Sequence, residues 1–122
     1  MLKKVNWNVT LGKEGEDLAG DYLTANGFRI LEERFRTRFG EIDIIASKQG
    51  EFFFVEVKTR SDRRRGKPIE QFPFYRVERL KKMALFYAAR KRLLEKNLHL
   101  SLLGIDLSQG APEISFIKDI VE

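Results

Sequence analysis

A chain of 122 residues, 43% hydrophobic and 34% charged, has the makeup of a globular protein and not of a disordered or membrane-spanning one. At this length a fold buries about two-thirds of its unfolded surface, so one modest core in a single domain over residues 1–122 is expected, and the absence of cysteine excludes disulfides and thiolate metal sites. The net charge of +5 is unevenly spread: residues 58–96 hold 14 Lys or Arg against 4 Asp or Glu, and the remainder 9 against 14, a polarity that suits a polyanion on one side and carboxylates on the other.

Met1 to Thr10 carries two lysines with no apolar run behind them, and no later stretch is apolar enough to span a bilayer. Neither export signal nor membrane span is expected, and cytoplasm is the default compartment. From about Leu11 to Asn26 apolar residues recur at helical spacing, with Gly27 as the stop. Phe28 to Phe35, Glu41 to Ser47 and Phe52 to Arg60 read as consecutive antiparallel strands with turns at Phe39-Gly40 and Lys48-Gln49-Gly50. The stretch Thr59 to Pro68 has no apolar residue and reads as a basic loop.

A long helix is predicted over Phe74 to Lys96, with Val77, Leu80, Ala84, Tyr87 and Leu94 on its core face. Leu98 to Leu107 and Glu113 to Ile117 are two further strands. The order is αβββαββ, an α/β fold in which the crossover helix allows the third and fourth strands to be parallel within a mixed central sheet flanked by helices.

The chemistry concentrates on two strands. In Phe54-Val55-Glu56-Val57-Lys58 an acid and a base sit two apart and share a face, although a half-exposed strand commonly shows such alternation. In Glu41-Ile42-Asp43-Ile44-Ile45-Ala46 branched residues occupy both faces, so Asp43 lies in a strand covered on two sides. A carboxylate there needs a cation, hydrogen bonds or a raised pKa. A structural ion pair between Asp43 and Lys58 meets that need. So does a metal: Asp43 and Glu56 on paired strands supply hard oxygen donors suited to Mg²⁺ or Mn²⁺, with Lys58 placed to orient a water or stabilise a developing anion. Glu16 opens the first helix on its sheet-facing side and is a further candidate, or simply complements the helix dipole.

Gly-Glu on the first helix, Gly40-Glu41-Ile42-Asp43-Ile44-Ile45-Ala46 and Phe54-Val55-Glu56-Val57-Lys58-Thr59-Arg60 together resemble the YraN-like family of small bacterial proteins. That family is similar to the PD-(D/E)XK nucleases and distantly to archaeal Holliday-junction resolvases. The resemblance implies a restriction-endonuclease-like fold and Mg²⁺-dependent phosphodiester hydrolysis. Asp43 takes the aspartate position, Glu56 and Lys58 the E-x-K positions, and Glu16 the helix acid; by analogy a homodimer is implied. The chain departs from the family in offering Arg76 where a lysine is usual and Gly104-Ile105-Asp106 where Arg-Phe-Asp is usual.

The expected function is thus a Mg²⁺-dependent endonuclease acting on DNA, branched or damaged strands included. Arg60, Arg63, Arg64, Arg65 and Lys67 of the loop and Arg76, Arg79, Lys82 and Arg90 of the helix are the candidate phosphate contacts. The competing readings are a nucleic-acid-binding protein of the same fold without activity, and a module whose basic face meets an acidic protein. His99 has no partner at metal-ligand spacing, and Trp7, Phe72 and Phe74, which could stack on bases, are more economically core.

Overall fold

Helix α1 (Trp7–Ala25) forms where apolar residues repeat one turn apart, and its Ala19 and Leu23 are fully buried. It stops at a Schellman motif. Gly27, at φ +88°, donates its N–H to Thr24 O at 3.1 Å, and Phe28 donates to Leu23 O at 2.9 Å. The computed structural model describes residues 7–62 and 72–120, with side chains from residue 14 onward.

Three strands follow as a meander: β1 (Arg29–Thr37), β2 (Gly40–Lys48) and β3 (Glu51–Arg60). Arg38-Phe39 closes the first hairpin on the Thr37–Gly40 pair. Gln49-Gly50 closes the second, both at positive φ (+52° and +80°), the combination a type I′ turn requires to match strand twist. Helix α2 (Phe74–Arg90) then carries the chain across, and β4 (Leu98–Asp106) runs parallel to β3 from Phe52–Leu98 to Arg60–Asp106. The last strand, β5 (Glu113–Ile117), pairs antiparallel with β4, giving a five-stranded mixed sheet in the order β1-β2-β3-β4-β5. This is the αβββαββ arrangement expected of a restriction-endonuclease-like chain.

Each face of the sheet has its own core. On one, Val77, Leu80, Met83, Ala84 and Tyr87 of α2 pack against Ile42, Ile45, Phe54 and Leu100. On the other, Ala19 and Leu23 of α1 pack against Ile44, Ala46, Phe53, Val55, Leu103 and Ile105. The central strands are covered on both sides, which explains their near-continuous apolar runs. Each of the larger side chains among these contributes about 1.5–3 kcal/mol by leaving water.

The second helix is shorter than its periodicity suggested. It ends at Arg90, and Leu94, assigned to the core stripe, lies beyond it and is 56% exposed. The stop is another Schellman motif: Arg92, at φ +59°, donates to Ala89 O and Leu93 donates to Ala88 O at 2.7 Å. An arginine fills the left-handed position that glycine usually takes, so no residue type marked the end. No helix among the described residues is long and apolar enough to cross a membrane.

Candidate functional site

The β2–β3 ladder runs from Lys48–Glu51 only as far as Ile44–Val55. At the next step the Val57 N–H donates to the carboxylate Oδ2 of Asp43, at 2.8 Å. A side chain thus takes the place of a backbone partner, and the far half of β3 continues on β4 alone, through Arg60–Asp106. The side-chain alternation of β2 breaks at the same point: Ile42 belongs to the α2-facing core and Ile44 to the α1-facing one. On the neighbouring strand Arg34, between Glu33–Ile44 and Phe35–Ile42, adopts φ +52°, a left-handed conformation costing an ordinary side chain roughly 1–2 kcal/mol. The sheet opens here, and the opening holds Asp43.

Glu56 lies one step beyond Val55 on β3, on the α2-facing side with Phe54. Asp43, Glu56, Glu41, Arg76, Arg79 and Gly40 line one pocket of about 300 Å³, floored by Leu80 and Met83 of α2. Gly40, at φ +136°, is in a backbone conformation that L side chains rarely adopt. The Asp43 carboxyl is raised from an ordinary 3.8 to about 7, first by burial, then by the charge of Glu56, with Glu16 and Glu41 adding and the Val57 amide opposing. Burial also raises Glu56, opposed by Arg76, Arg79 and Lys58. Two acids that hold on to protons in one pocket make a site deficient in positive charge.

Part of that deficit is met within the protein. Arg76 donates to Glu56 Oε2 at 2.6 Å, with the Glu56 side chain 12% exposed, and the guanidinium lies 5.7 Å from the Phe72 ring. Sequence reasoning assigned Arg76 to phosphate; here it neutralises the acid of the E-x-K pair. Lys58 shares the face of Glu56, and its ammonium is destabilised by burial and by Arg60 and Arg76, with Glu56 acting in the opposite sense. The considered alternative joined Asp43 to Lys58; among the described residues Asp43 accepts from the Val57 amide, and the charges raising its pKa are those of Glu56, Glu16 and Glu41.

Glu16 reaches the region on α1. Gly15 beside it lets the helix press on β3 so closely that an added Cβ would lie 1.9 Å from Thr59 Oγ1. Glu16 accepts from Arg34 Nε at 2.7 Å, close enough to Asp43 to raise its pKa yet engaged by a different cation. Arg79 lines the pocket, Lys82 is exposed on α2 outside that lining, and Arg60 is half-buried at the end of β3. Arg63, Arg64, Arg65 and Lys67 lie outside the described residues, as does the side chain of Trp7. Phe74 is 75% exposed, whereas Phe72 packs on the α2-facing core.

A divalent ion has a donor set of limited size. Among the described residues no three acidic, His or Cys side chains converge to hold one. Asp43 and Glu56 offer two carboxylates of hard oxygen, which fits Mg²⁺ or Mn²⁺, ions commonly held by one or two carboxylates with waters and substrate phosphate completing the shell.

Sequence reasoning missed two features. Glu41 lines the pocket beside Asp43, and sequence reasoning gave it no role. His99 faces Asp119 Oδ1 at 2.7 Å and Glu51 Oε1 at 2.5 Å and stacks on Phe53 at 4.6 Å. Its partners lie 20 and 48 residues away, beyond any local spacing rule.

Comparison with known proteins agrees with the motifs. Residues 15–107 match the profile described as "Uncharacterised protein family UPF0102". A UPF0102 protein of Syntrophus aciditrophicus is 38% identical over 122 residues, covering all of this chain and 96% of that one. One from Dictyoglomus turgidum is 42% identical over 101 residues, covering 83% and 86%. One from Thermodesulfovibrio yellowstonii is 52% identical over 80 residues, covering 65% and 70%. Among solved structures, Pyrococcus furiosus SfsA in complex with Ca²⁺ aligns with TM-score 0.42 and 19% identity over 91% of this chain and 63% of that one. The chain belongs to the UPF0102 family, the YraN-like family that its two strand motifs and helix Gly-Glu resemble.

Proposed function

We propose that the protein is a metal-dependent endonuclease that hydrolyses phosphodiester bonds in DNA, with branched or damaged strands among its substrates. The observation that carries this reading is that Asp43 and Glu56 open into one pocket, each holding its proton above the ordinary carboxyl range, with a lysine and two arginines around them. Asp43 and Glu56 would hold Mg²⁺ or Mn²⁺. When bound, the ion acidifies a water and screens charge growing on the phosphate.

The chain's own residues account for the rest. Lys58, its ammonium destabilised and hence readier to give up a proton, can orient the attacking water or meet the developing anion. Arg76 pairs with Glu56, and were a divalent cation held by that carboxylate, its guanidinium fork would be available to a phosphate oxygen. Arg79 lies in the same lining, and Glu16 supports Asp43 through the field it adds.

The test is incubation with branched and single-stranded DNA in Mg²⁺ or Mn²⁺, comparing wild type with Lys58→Ala and Asp43→Asn. Cleavage by wild type and a loss of at least a hundredfold in both variants is expected. Binding without cleavage, across substrate shapes and both metals, contradicts it. That outcome would favour the second reading, a nucleic-acid-binding protein without activity, for which the closed Glu56–Arg76 link is the supporting observation.

A further inference from the structure

Helix α2 carries a second stripe beside its buried one. Arg76, Arg79, Met83, Phe86 and Arg90 follow at steps of three, four, three and four residues, which places them along one line of the helix. The first three line the acid pocket. The last two line a groove of about 450 Å³, completed by Phe35, Arg36, Thr37, Arg38, Tyr87 and Lys91. Both spaces share the β1–β2 hairpin as a wall: Thr37 Oγ1 donates to Gly40 O at 2.9 Å, and Arg36 of the groove pairs with Glu41 of the pocket at 3.2 Å. The groove continues the pocket toward the end of α2.

Its chemistry is one-sided. Among the described residues four cations line it, Arg36, Arg38, Arg90 and Lys91, and no carboxylate does. Two acids lie close by. Glu41 holds Arg36 in an exposed pair, with 84% of the Arg36 side chain open to solvent, an interaction worth at most about 1 kcal/mol and readily exchanged for a phosphate. Glu32 acts on Tyr87. Three of the cations rest on rings: Arg38 at 5.0 Å from Phe39, Arg90 at 5.3 Å from Phe86, and Lys91 at 5.9 Å from Tyr87. Their stems are braced on apolar surface while their charged heads stay wet. From Arg79 to Arg90 the helix rises about 16.5 Å, comparable to the axial rise of about five nucleotides of a duplex strand.

We propose that this groove is the track along which a nucleic-acid strand leaves the acid pocket, its phosphates seated on Arg36, Arg38, Arg90 and Lys91. The proposal rests on the nuclease reading above and adds to it the path of the substrate. It is tested by fluorescence anisotropy of labelled single-stranded DNA and RNA of one sequence, without divalent cation, over a range of salt. The Arg38→Ala, Arg90→Ala, Lys91→Ala triple variant alters exposed side chains only, and its thermal midpoint serves as the folding control.

The triple variant should bind at least tenfold more weakly at about 0.1 M salt, and its slope of log Kd against log salt should fall by about 2 for three lost contacts. Equal losses on DNA and RNA mark a backbone contact; a loss on one alone names the strand the track accepts. Wild-type affinity and slope in the triple variant overturn the track. So does an absence of salt-dependent binding in wild type, or a defect confined to an acidic peptide such as polyglutamate. A parallel Mn²⁺ cleavage assay separates the two claims. Groove-dependent binding without cleavage keeps the track and sinks the nuclease; cleavage with groove-independent binding does the reverse.

Discussion

Asp43 gives the protein's stability a pH dependence in the absence of divalent cations. Its carboxyl is raised from 3.8 to about 7 in the fold, so between about pH 4 and 7 the unfolded chain releases a proton that the folded chain retains. Stability therefore falls as pH rises through that window and levels off above it. Glu56, also raised, acts in the same sense. Asp43→Asn keeps an oxygen for the Val57 amide and removes the titration. Without divalent cation it should be more stable than wild type at pH 8, by roughly 2–4 kcal/mol at most, and equal to it near pH 4. Urea unfolding at the two pH values checks this, and an equal difference at both contradicts it. Arg76→Ala has the opposite sign, because it leaves Glu56 without its cation in a pocket. It should cost about 1–3 kcal/mol at pH 8 and less as the pH falls and Glu56 takes up a proton.

At the scale of elements, the site depends on how closely α1 presses on β3 and where α2 stops. A Cβ on residue 15 would lie 1.9 Å from Thr59 Oγ1 and 3.1 Å from Thr59 Cβ, so Gly15→Ala forces the helix or the strand to move. The expected cost is about 1–3 kcal/mol, with a large part returned in the Gly15→Ala, Thr59→Ala double variant; a double variant no more stable than the single one contradicts the packing argument. Arg92 sits at φ +59° in the C-terminal motif of α2. Arg92→Gly should raise stability by about 0.5–1 kcal/mol in thermal unfolding.

These elements also explain what could be read in advance. The strands carrying Asp43, Glu56 and Lys58 were legible because burial on two faces leaves a distinctive run of branched residues, against which a charge stands out. The α1 stop was legible because glycine marks it. The α2 stop was not, since Arg92 takes the left-handed position without the usual residue, and the same holds for Arg34 at the mouth of the site. The pairing of Arg76 with Glu56 was not legible, since Glu56 lies 20 residues away and meets it only through the crossover.

Over the whole molecule, the uneven charge of the sequence takes a geometrical form. Carboxylates gather where β2 and β3 part, and cations line both the pocket and the groove along α2. The fold was legible from periodicity and punctuation; the groove was not, because Arg36 and Arg38 belong to the β1–β2 hairpin and join α2 only in three dimensions. The account stands on Asp43 and Glu56 sharing one divalent ion, and calorimetric titration of Mn²⁺ at pH 8 addresses that most directly. Wild type should take up one ion per chain, Asp43→Asn and Glu56→Gln should each lose at least tenfold in affinity, and Glu16→Gln should bind nearly as wild type. Mn²⁺ uptake that neither pocket variant weakens, or no uptake by wild type, would contradict the account.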